Sequence, residues 1–215
     1  MSEEIKKLIE GNKQFRNNYF NKNNTVFDDL VLHGQKPKIM IIACSDSRID
    51  PAIIFNSQPG ELFVVRNVAN LVPPFEESGE YHGTSAALEF GICFLEVEHI
   101  IVLGHTQCGG IQALLQSAEN VLDKKNRFIA KWMELAGPAY KKLIAENGKV
   151  PFEEKVTLCE QYALINSLKN LHTFPWIQER INNNKLLLHA WYFDLASGII
   201  NMYDQKQDNW HILEE

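Results

Sequence analysis

The stretch KIMIIACSDSR, residues 38–48, determines how this chain folds. Its first part, 38–43, is a short and nearly continuous apolar run, and the runs at 62–65 and 100–103 are similar and rich in β-branched residues. Strands that are apolar on both faces are typical of a parallel sheet that helices cover on each side. We therefore predict three buried strands at the centre of the fold.

Helical patterns separate and follow these strands. Residues 84–95 are apolar almost all round except Glu89, which predicts a buried helix between two strands. Another helix is predicted to begin over 111–117, and 126–147 and 152–172 also look helical, with Gly137-Pro138 and Gly148 as breaks. Strands that alternate with helices indicate an α/β fold with a mostly parallel sheet.

The last part of the chain predicts a different strand arrangement. Two more strands are expected at 186–193 and 199–203, and the short connection 194–198 favours an antiparallel hairpin. The expected architecture is thus a central, mainly parallel sheet with an antiparallel edge extension, flanked by helices.

An N-terminal helical arm is predicted over 1–33, in front of an α/β core of 34–215, and the two parts together make one domain. Within the arm, 3–20 carries apolar side chains at roughly helical spacing. Two interpretations are open, because this helix can pack on a partner chain or on its own domain. The apolar side chains are Ile5, Leu8, Ile9, Phe15 and Tyr19.

The composition is that of a globular protein, with 45% hydrophobic and 22% charged residues. The formal net charge is −6 at pH 7, and because a nucleic-acid-binding domain needs a basic face, no nucleic acid is expected as a partner. No apolar run reaches the length that crosses a bilayer, and residues 1–10 contain no apolar signal segment. We therefore expect no membrane association, a cytoplasmic location, and cysteines that are thiols or metal ligands rather than disulfides.

Polar residues follow two of the predicted strands at the point where each strand ends. The first strand runs into Cys44-Ser-Asp-Ser-Arg48, and the strand at 100–103 runs into Gly-His105-Thr-Gln-Cys108-Gly-Gly. In open α/β sheets, sites form at the carboxyl ends of strands, so both clusters should lie at one edge of the sheet.

The residue types in these clusters predict a zinc site. Zinc prefers thiolate and imidazole ligands, and three protein ligands would leave one position open, as in a catalytic site. Cys44, His105 and Cys108 offer that set, whereas Cys93 and Cys159 are expected to be thiols without a role.

These motifs resemble the two signatures of the β-carbonic anhydrase family. The resemblance is dense from about residue 34 to 115 and looser beyond, and several motifs in the right order make a chance match improbable. Besides Cys44-Ser-Asp-Ser-Arg48 and His105-x-x-Cys108-Gly-Gly, it covers QPGELFVVRN at 58–67, ANLVPP at 69–74 and GTSAALEF at 83–90.

The resemblance implies the reaction and its catalytic groups. The expected activity is the zinc-dependent, reversible hydration of carbon dioxide to bicarbonate and a proton, with one Zn²⁺ per chain on Cys44, His105 and Cys108. Asp46 and Arg48 match the family's catalytic dyad, in which the arginine holds the carboxylate beside the metal.

The resemblance also implies a substrate cleft and an assembly. Gln58 matches a residue that hydrogen-bonds the substrate, and the Gly109 amide resembles a second donor. The segments with Phe63, Val65 and Phe90 match the apolar lining of the cleft. The family unit is a homodimer with embracing N-terminal helices, and dimers often pair into homotetramers, which favours the partner role for the arm.

The chain is similar to the plant-like subgroup, whose metal site stays open. Strand 39–43 has no Trp, and Gln58 follows the pattern of that subgroup. Asp46 would bind zinc only in a closed, inactive state. Some family members carry a Tyr where Phe90 stands, so a hydroxyl contact from that position is absent.

Alternatives remain at this point. A zinc hydrolase of the same fold acts on carbon disulfide or carbonyl sulfide, and sequence does not separate the two reactions. A non-catalytic zinc protein would need a fourth protein ligand, for which Asp46 is the obvious residue. A thiol redox protein is disfavoured because the chain has no Cys-x-x-Cys pair. His33, His82 and His211 are candidate proton shuttles.

Overall fold

A computed structural model describes residues 1–20, 25–77, 82–119 and 127–213 of the chain, and it contains one mixed β-sheet. The six strands are β1 Ile39–Cys44, β2 Leu62–Asn67, β3 His99–His105, β4 Leu187–Phe193, β5 Ile200–Asp204 and β6 Asn209–Ile212. Their order in the sheet is β2-β1-β3-β4-β5-β6. Strands β1 to β4 are parallel to one another, and β5 and β6 extend the sheet in antiparallel fashion. The predicted fold class and the predicted hairpin are therefore confirmed.

Helices flank the sheet on both faces. They are α1 Glu3–Tyr19, α2 Val26–His33, α3 Pro51–Ile54, α4 Gly83–Glu89, α5 Gly109–Glu119, α6 Arg127–Met133, α7 Gly137–Asn147, α8 Phe152–Leu171 and α9 Pro175–Asn182. The helix predicted over 84–95 consists of α4 and a wider π-helical turn, Phe90–Phe94. The helical segment predicted over 126–147 consists of α6 and α7, and α7 begins at the predicted break, Gly137-Pro138; residue 126 lies outside the described residues.

The sheet core is apolar on both faces, as parallel strands require. In β1, Met40 and Ile42 face one hydrophobic cluster, whereas Ile41 and Ala43 face another. All four are at most 1% exposed. The alternation follows from the two-residue period of a strand.

Helix α8 packs closely on β3 because β3 has a glycine at the contact. A Cβ atom on Gly104 would lie 2.7 Å from Leu164 Cδ1 and 2.9 Å from its Cγ, so a larger residue would separate the two elements. Leu164 is fully buried. This contact brings one face of α8 beneath the carboxyl end of β3.

The N-terminal helices lie at the surface of the core, where the Leu30 side chain of α2 lies against Gly60. Neither α1 nor α2 has a buried residue. Phe15 and Phe20 of the first segment contact Phe27 of α2, with ring centroids 5.6 and 4.8 Å away. The division into an arm of 1–33 and a core of 34–215 remains a prediction. No helix in the described part of the chain is long and apolar enough to span a membrane.

Candidate metal centre

Three potential ligands converge at the carboxyl edge of the sheet. Cys44 is the last residue of β1, His105 is the last residue of β3, and these strands are parallel neighbours. The sulfurs of Cys44 and Cys108 and a ring nitrogen of His105 all lie within 4.8 Å of one another. All three residues are at most 5% exposed. Both sequence clusters thus meet as expected.

The imidazole of His105 is oriented for a metal. Its Nδ1 lies 2.8 Å from the backbone oxygen of Thr106, an acceptor, so Nδ1 carries the proton. The other nitrogen, Nε2, is buried, and among the described residues it has no hydrogen-bond partner. A buried nitrogen lone pair without a partner is costly unless a ligand fills the place. Beside two thiols, this donor set fits zinc.

The electrostatic surroundings favour a thiolate in the cluster. The neighbouring Cys108 thiol donates toward Cys44 and lowers the pKa of the Cys44 thiol, although burial opposes the shift. Zinc binds the thiolate form, so this shift prepares the site for the metal.

Asp46 lies beside this cluster but is held by Arg48. The guanidinium donates from Nε to Asp46 Oδ1 at 2.9 Å and from Nη2 to Oδ2 at 2.7 Å, a bidentate pair. The backbone N–H of Arg48 also donates to Oδ1, at 2.9 Å. The Arg48 hydrogen bonds hold the pKa of the Asp46 carboxyl well below its usual range. The carboxylate is therefore ionised and turned to Arg48.

A second arginine, Arg66, fixes the loop that carries these residues. Its Nε donates to the backbone oxygen of Cys44 at 3.0 Å, and its Nη2 donates to the backbone oxygen of Asp46 at 2.7 Å. Sequence reasoning placed residue 66 inside a matching motif but assigned it no role. The signal that could have indicated a role is a cationic residue near the end of a buried strand. In the register of β1 and β2, Ala43 pairs with Arg66.

The buried residue Glu160 of α8 was also missed. Its carboxylate accepts from the backbone N–H of Cys108 at 2.6 Å and from the hydroxyl of Tyr192 at 2.5 Å. Burial raises the pKa of Glu160 to about 7, and these two donors oppose the shift. Burial likewise raises the pKa of the Tyr192 hydroxyl.

The predicted cleft residues occupy different surroundings. Phe63, Val65 and Asn67 share one face of β2, and Val65 and Asn67 line a cavity of about 550 Å³. The ring of Phe63 lies 5.9 Å from that of Phe90, whose side chain is half exposed. Cavity-lining residues besides these are Arg66, Val68, Gly83, Thr84, Phe128, Ile129 and Trp132.

The remaining predicted residues lie as follows. Gly109 begins α5, and a Cβ atom there would meet no atom within 4 Å, so the space beside it is open. Gln58 is exposed, and its side-chain oxygen lies 3.4 Å from the Tyr19 hydroxyl of α1. In this structure the Gln58 side chain therefore contacts α1. The three candidate shuttles His33, His82 and His211 are all exposed.

The two cysteines without a predicted role lie outside the metal cluster. Cys93 is exposed on the π-helical turn, and Cys159 is fully buried in α8. Both are free thiols.

Comparisons with known proteins show the family of this chain. The family model described as carbonic anhydrase matches residues 39–200. The chain is 36% identical over 200 residues to β-carbonic anhydrase 3 of Arabidopsis thaliana, covering 93% of this chain and 77% of the relative. It is also 36% identical over 201 residues to a carbonic anhydrase of Synechocystis sp., covering 93% and 71%.

Solved structures show the same similarity. The β-carbonic anhydrase CcaA aligns with a TM-score of 0.90 at 33% identity, over 100% of this chain and 94% of that chain. One of two tetrameric β-carbonic anhydrases of the fungus Sordaria macrospora aligns with a TM-score of 0.82 at 28% identity, over 94% of this chain and 97% of that chain.

Proposed function

Because this chain belongs to the β-class carbonic anhydrase family, we infer that it catalyses the reversible hydration of carbon dioxide to bicarbonate and a proton. We propose that Cys44, His105 and Cys108 hold its zinc ion. The observation that carries this proposal is the buried Nε2 of His105, which has no hydrogen-bond partner among the described residues, in a ring with a nitrogen within 4.8 Å of two thiols. When bound, zinc supplies Lewis acidity that lowers the pKa of a coordinated water, a property for which carbonic anhydrase is the standard example.

In this proposal, Asp46 is the group that accepts and relays the proton. An ionised carboxylate beside the metal can accept a hydrogen bond from the attacking water and orient it toward carbon dioxide. Arg48 occupies both carboxylate oxygens, and this pairing keeps Asp46 from serving as a fourth metal ligand. The pairing supports an open, catalytic site and disfavours the alternative of a closed, non-catalytic zinc site.

The apolar cavity beside β2 suits the substrate. Carbon dioxide is small and uncharged, so burial against apolar side chains favours it over water. Register pairs Asn67 with Cys44, so the cavity that Val65 and Asn67 line lies next to the metal strand. We propose that Val65 contributes apolar surface to this cavity, that Phe63 and Phe90 extend the apolar surface beside it, and that the Gly109 amide donates to the substrate. The substrate role of Gln58 remains a prediction.

The assembly is proposed to be a homodimer or homotetramer. The Sordaria relatives are described as tetrameric. Helix α1 supports an oligomer because the described residues leave much of its apolar surface exposed: Ile5 is 47%, Leu8 69% and Ile9 44% exposed. The cytoplasmic location likewise remains a prediction.

The test of the proposed function combines turnover with metal analysis. Stopped-flow hydration of carbon dioxide with a pH indicator should show catalysis, and the purified protein should contain about one zinc per chain. Cys108→Ser should lose most of the metal and the activity, because a hydroxyl is a poor zinc ligand. Carbon disulfide offered to the same enzyme tests the related hydrolase activity.

The two other cysteines provide matched controls. Cys93→Ser and Cys159→Ser change the same atom outside the cluster, so both variants should keep zinc and turnover. Full zinc content in Cys108→Ser, or loss of zinc in Cys93→Ser, would contradict the ligand assignment.

A further inference from the structure

A single peptide group in the metal loop is held from both sides. The carbonyl oxygen of Gln107 and the N–H of Cys108 belong to the same peptide plane, which is rigid. Arg48 Nη2 donates to this carbonyl at 3.1 Å. Glu160 Oε1 accepts from this N–H at 2.6 Å. The orientation of the plane is thus fixed by a cation on one side and a carboxylate on the other.

The backbone at this peptide needs such support. Gln107 has a φ of 59°, in the left-handed region that side-chain-bearing residues rarely adopt. Such a conformation persists only where the surroundings hold it. The next residue is Cys108, so a rotation of this peptide would redirect the Cys108 side chain away from Cys44 and His105.

Glu160 is committed to this contact. It is 4% exposed, and a buried carboxylate is costly unless its oxygens are hydrogen-bonded. Its second oxygen accepts from the Tyr192 hydroxyl of β4, which itself is buried. The short distance between Gly104 and Leu164 brings α8 close enough to β3 for the Glu160 carboxylate to reach the loop.

We propose that Glu160 is a positioning residue of the metal centre: together with Arg48 it clamps the Gln107–Cys108 peptide and so directs the Cys108 thiolate to the zinc ion. The inference rests on the proposed zinc site. The same peptide connects α8 to the catalytic dyad, because the guanidinium that binds the Gln107 carbonyl also holds Asp46. Glu160 acts through other residues and does not touch the substrate.

The test compares zinc affinity, measured by competition with a chromophoric chelator, in the full-length protein and its variants. Glu160→Ala removes the acceptor and should weaken zinc binding about 10–100-fold, as is usual for groups that orient metal ligands. The absorption spectrum of the cobalt-substituted variant should also change, because it reports the geometry of the thiolate ligands. Glu160→Gln keeps an acceptor for the Cys108 N–H and a donor for Tyr192, so zinc affinity should stay within about fivefold of the parent.

Ser167→Ala is the matched control on the same helix. Ser167 is 1% exposed and accepts from the backbone N–H of Val72 at 3.2 Å, but it does not contact the metal loop. Its loss should lower stability without changing zinc affinity or the cobalt spectrum. Equal weakening of zinc binding in Ser167→Ala and Glu160→Ala would overturn the proposal, because general destabilisation would then explain both.

Two further outcomes are decisive. If Glu160→Ala does not fold, Tyr192→Phe removes only the support of the second carboxylate oxygen and should weaken zinc binding about fivefold. The inference is overturned if a folded Glu160→Ala variant has the zinc affinity and the cobalt spectrum of the parent. If the alanine variant is unfolded, the same result in Tyr192→Phe overturns it. A parent protein that binds no zinc would instead refute the proposed function itself, so the two failures are distinguishable.

Discussion

Asp46 and Asp50 lie on the same loop after β1, but their surroundings give the two carboxylates different roles. Asp46 has both oxygens on the Arg48 guanidinium, and its side chain is 17% exposed. Asp50 caps α3 by accepting from the backbone N–H of Ala52, and its side chain is 43% exposed. Only the first carboxylate is both fixed and adjacent to the metal ligands.

This contrast predicts the result of removing each charge. Asp46→Asn should keep zinc but lower the rate of carbon dioxide hydration by about 10²-fold or more, because an amide is a poor proton acceptor. The amide nitrogen would also face the donors of Arg48. Stopped-flow rates together with zinc content measure the effect.

The control for this prediction is Asp50→Asn. Asparagine also caps helices, so this variant keeps α3 and removes the same charge from the same loop. It should hydrate carbon dioxide at nearly the parental rate. Equal rates in Asp46→Asn and the parent would show that the dyad does not handle the proton.

Some residues of the site could be predicted from the sequence, and others could not. Cys44 and His105 were predictable because each directly ends an apolar strand, and the rule for parallel sheets brings such ends together. Glu160 was not, because its role depends on how closely α8 approaches β3. A signal existed, since Glu160 is a charged residue among the apolar positions Val156, Ala163 and Leu164 on one face of the helix.

At the scale of elements, the close packing of α8 on β3 makes a stability prediction. Gly104→Ala would place a methyl group 2.7 Å from Leu164 in a core without free space. The strand and helix would have to separate, so the free energy of unfolding should fall by about 1–3 kcal/mol. Urea unfolding followed by circular dichroism measures the difference.

Gly11→Ala is the comparison for this variant. Gly11 lies within α1, and a Cβ atom there would meet no atom within 4 Å. Alanine also has the higher helix propensity, so this variant should be as stable as the parent or slightly more stable. An unchanged urea midpoint in Gly104→Ala would show that the contact between α8 and β3 can relax freely.

The helices and strands could be predicted from the sequence where the pattern of apolar residues was long or continuous. The three buried strands and α8 came from such patterns, whereas α3 has only four residues and leaves no period to detect. Strand β6 was missed because its sequence, Asn209–Ile212, is short and largely exposed, and pairing with β5 rather than burial creates it. Gly104 shows the same limit, since its role depends on the neighbouring helix.

Helix α1 is the element on which we base a prediction about the assembly. Leu8 is 69% exposed on an apolar stripe, whereas Lys13 forms an ion pair with Glu10 on the same helix. Leu8→Asp should weaken the oligomer, because a carboxylate in an apolar interface must be desolvated. Sedimentation velocity across a concentration series measures the dissociation.

Lys13→Asp is its control, because it adds the same side chain to the same helix outside the apolar stripe. The oligomer of this variant should dissociate at about the parental concentration. If both variants and the parent sediment alike, α1 does not hold the assembly together.

For the whole molecule, a pair of histidines on neighbouring strands links stability to pH. His99 Nδ1 lies 3.1 Å from His189 Nε2, so one ring donates and the other accepts, which requires at least one neutral ring. Burial, and secondarily the charge of His99, lowers the pKa of His189. Other groups face the pair: the ring centroid of Trp191 lies 6.1 Å from that of His189, and His99 borders a cavity lined by Lys36, Lys38, Glu96, Glu98, Arg180 and Lys185.

The sign of the effect follows from proton binding. A histidine whose pKa is lower in the folded than in the unfolded protein binds fewer protons when folded. Its contribution to stability is therefore complete above the unfolded pKa of about 6.5 and is lost as the pH falls from there to the folded pKa. Glu160 acts in the opposite direction, because its pKa is raised to about 7 and its contribution is lost as the pH rises toward that value.

A variant isolates the histidine from the other groups. His189→Gln keeps a hydrogen-bonding side chain toward His99 but does not titrate. The free energy of unfolding, measured in urea at several pH values between 5 and 8, should fall more steeply on acidification in the parent than in the variant. The difference in slope cannot exceed about 1.4 kcal/mol per pH unit for one proton. Because Glu160 and the metal ligands are common to both proteins, their contributions cancel, and parallel curves would mean that His189 takes up no proton on unfolding.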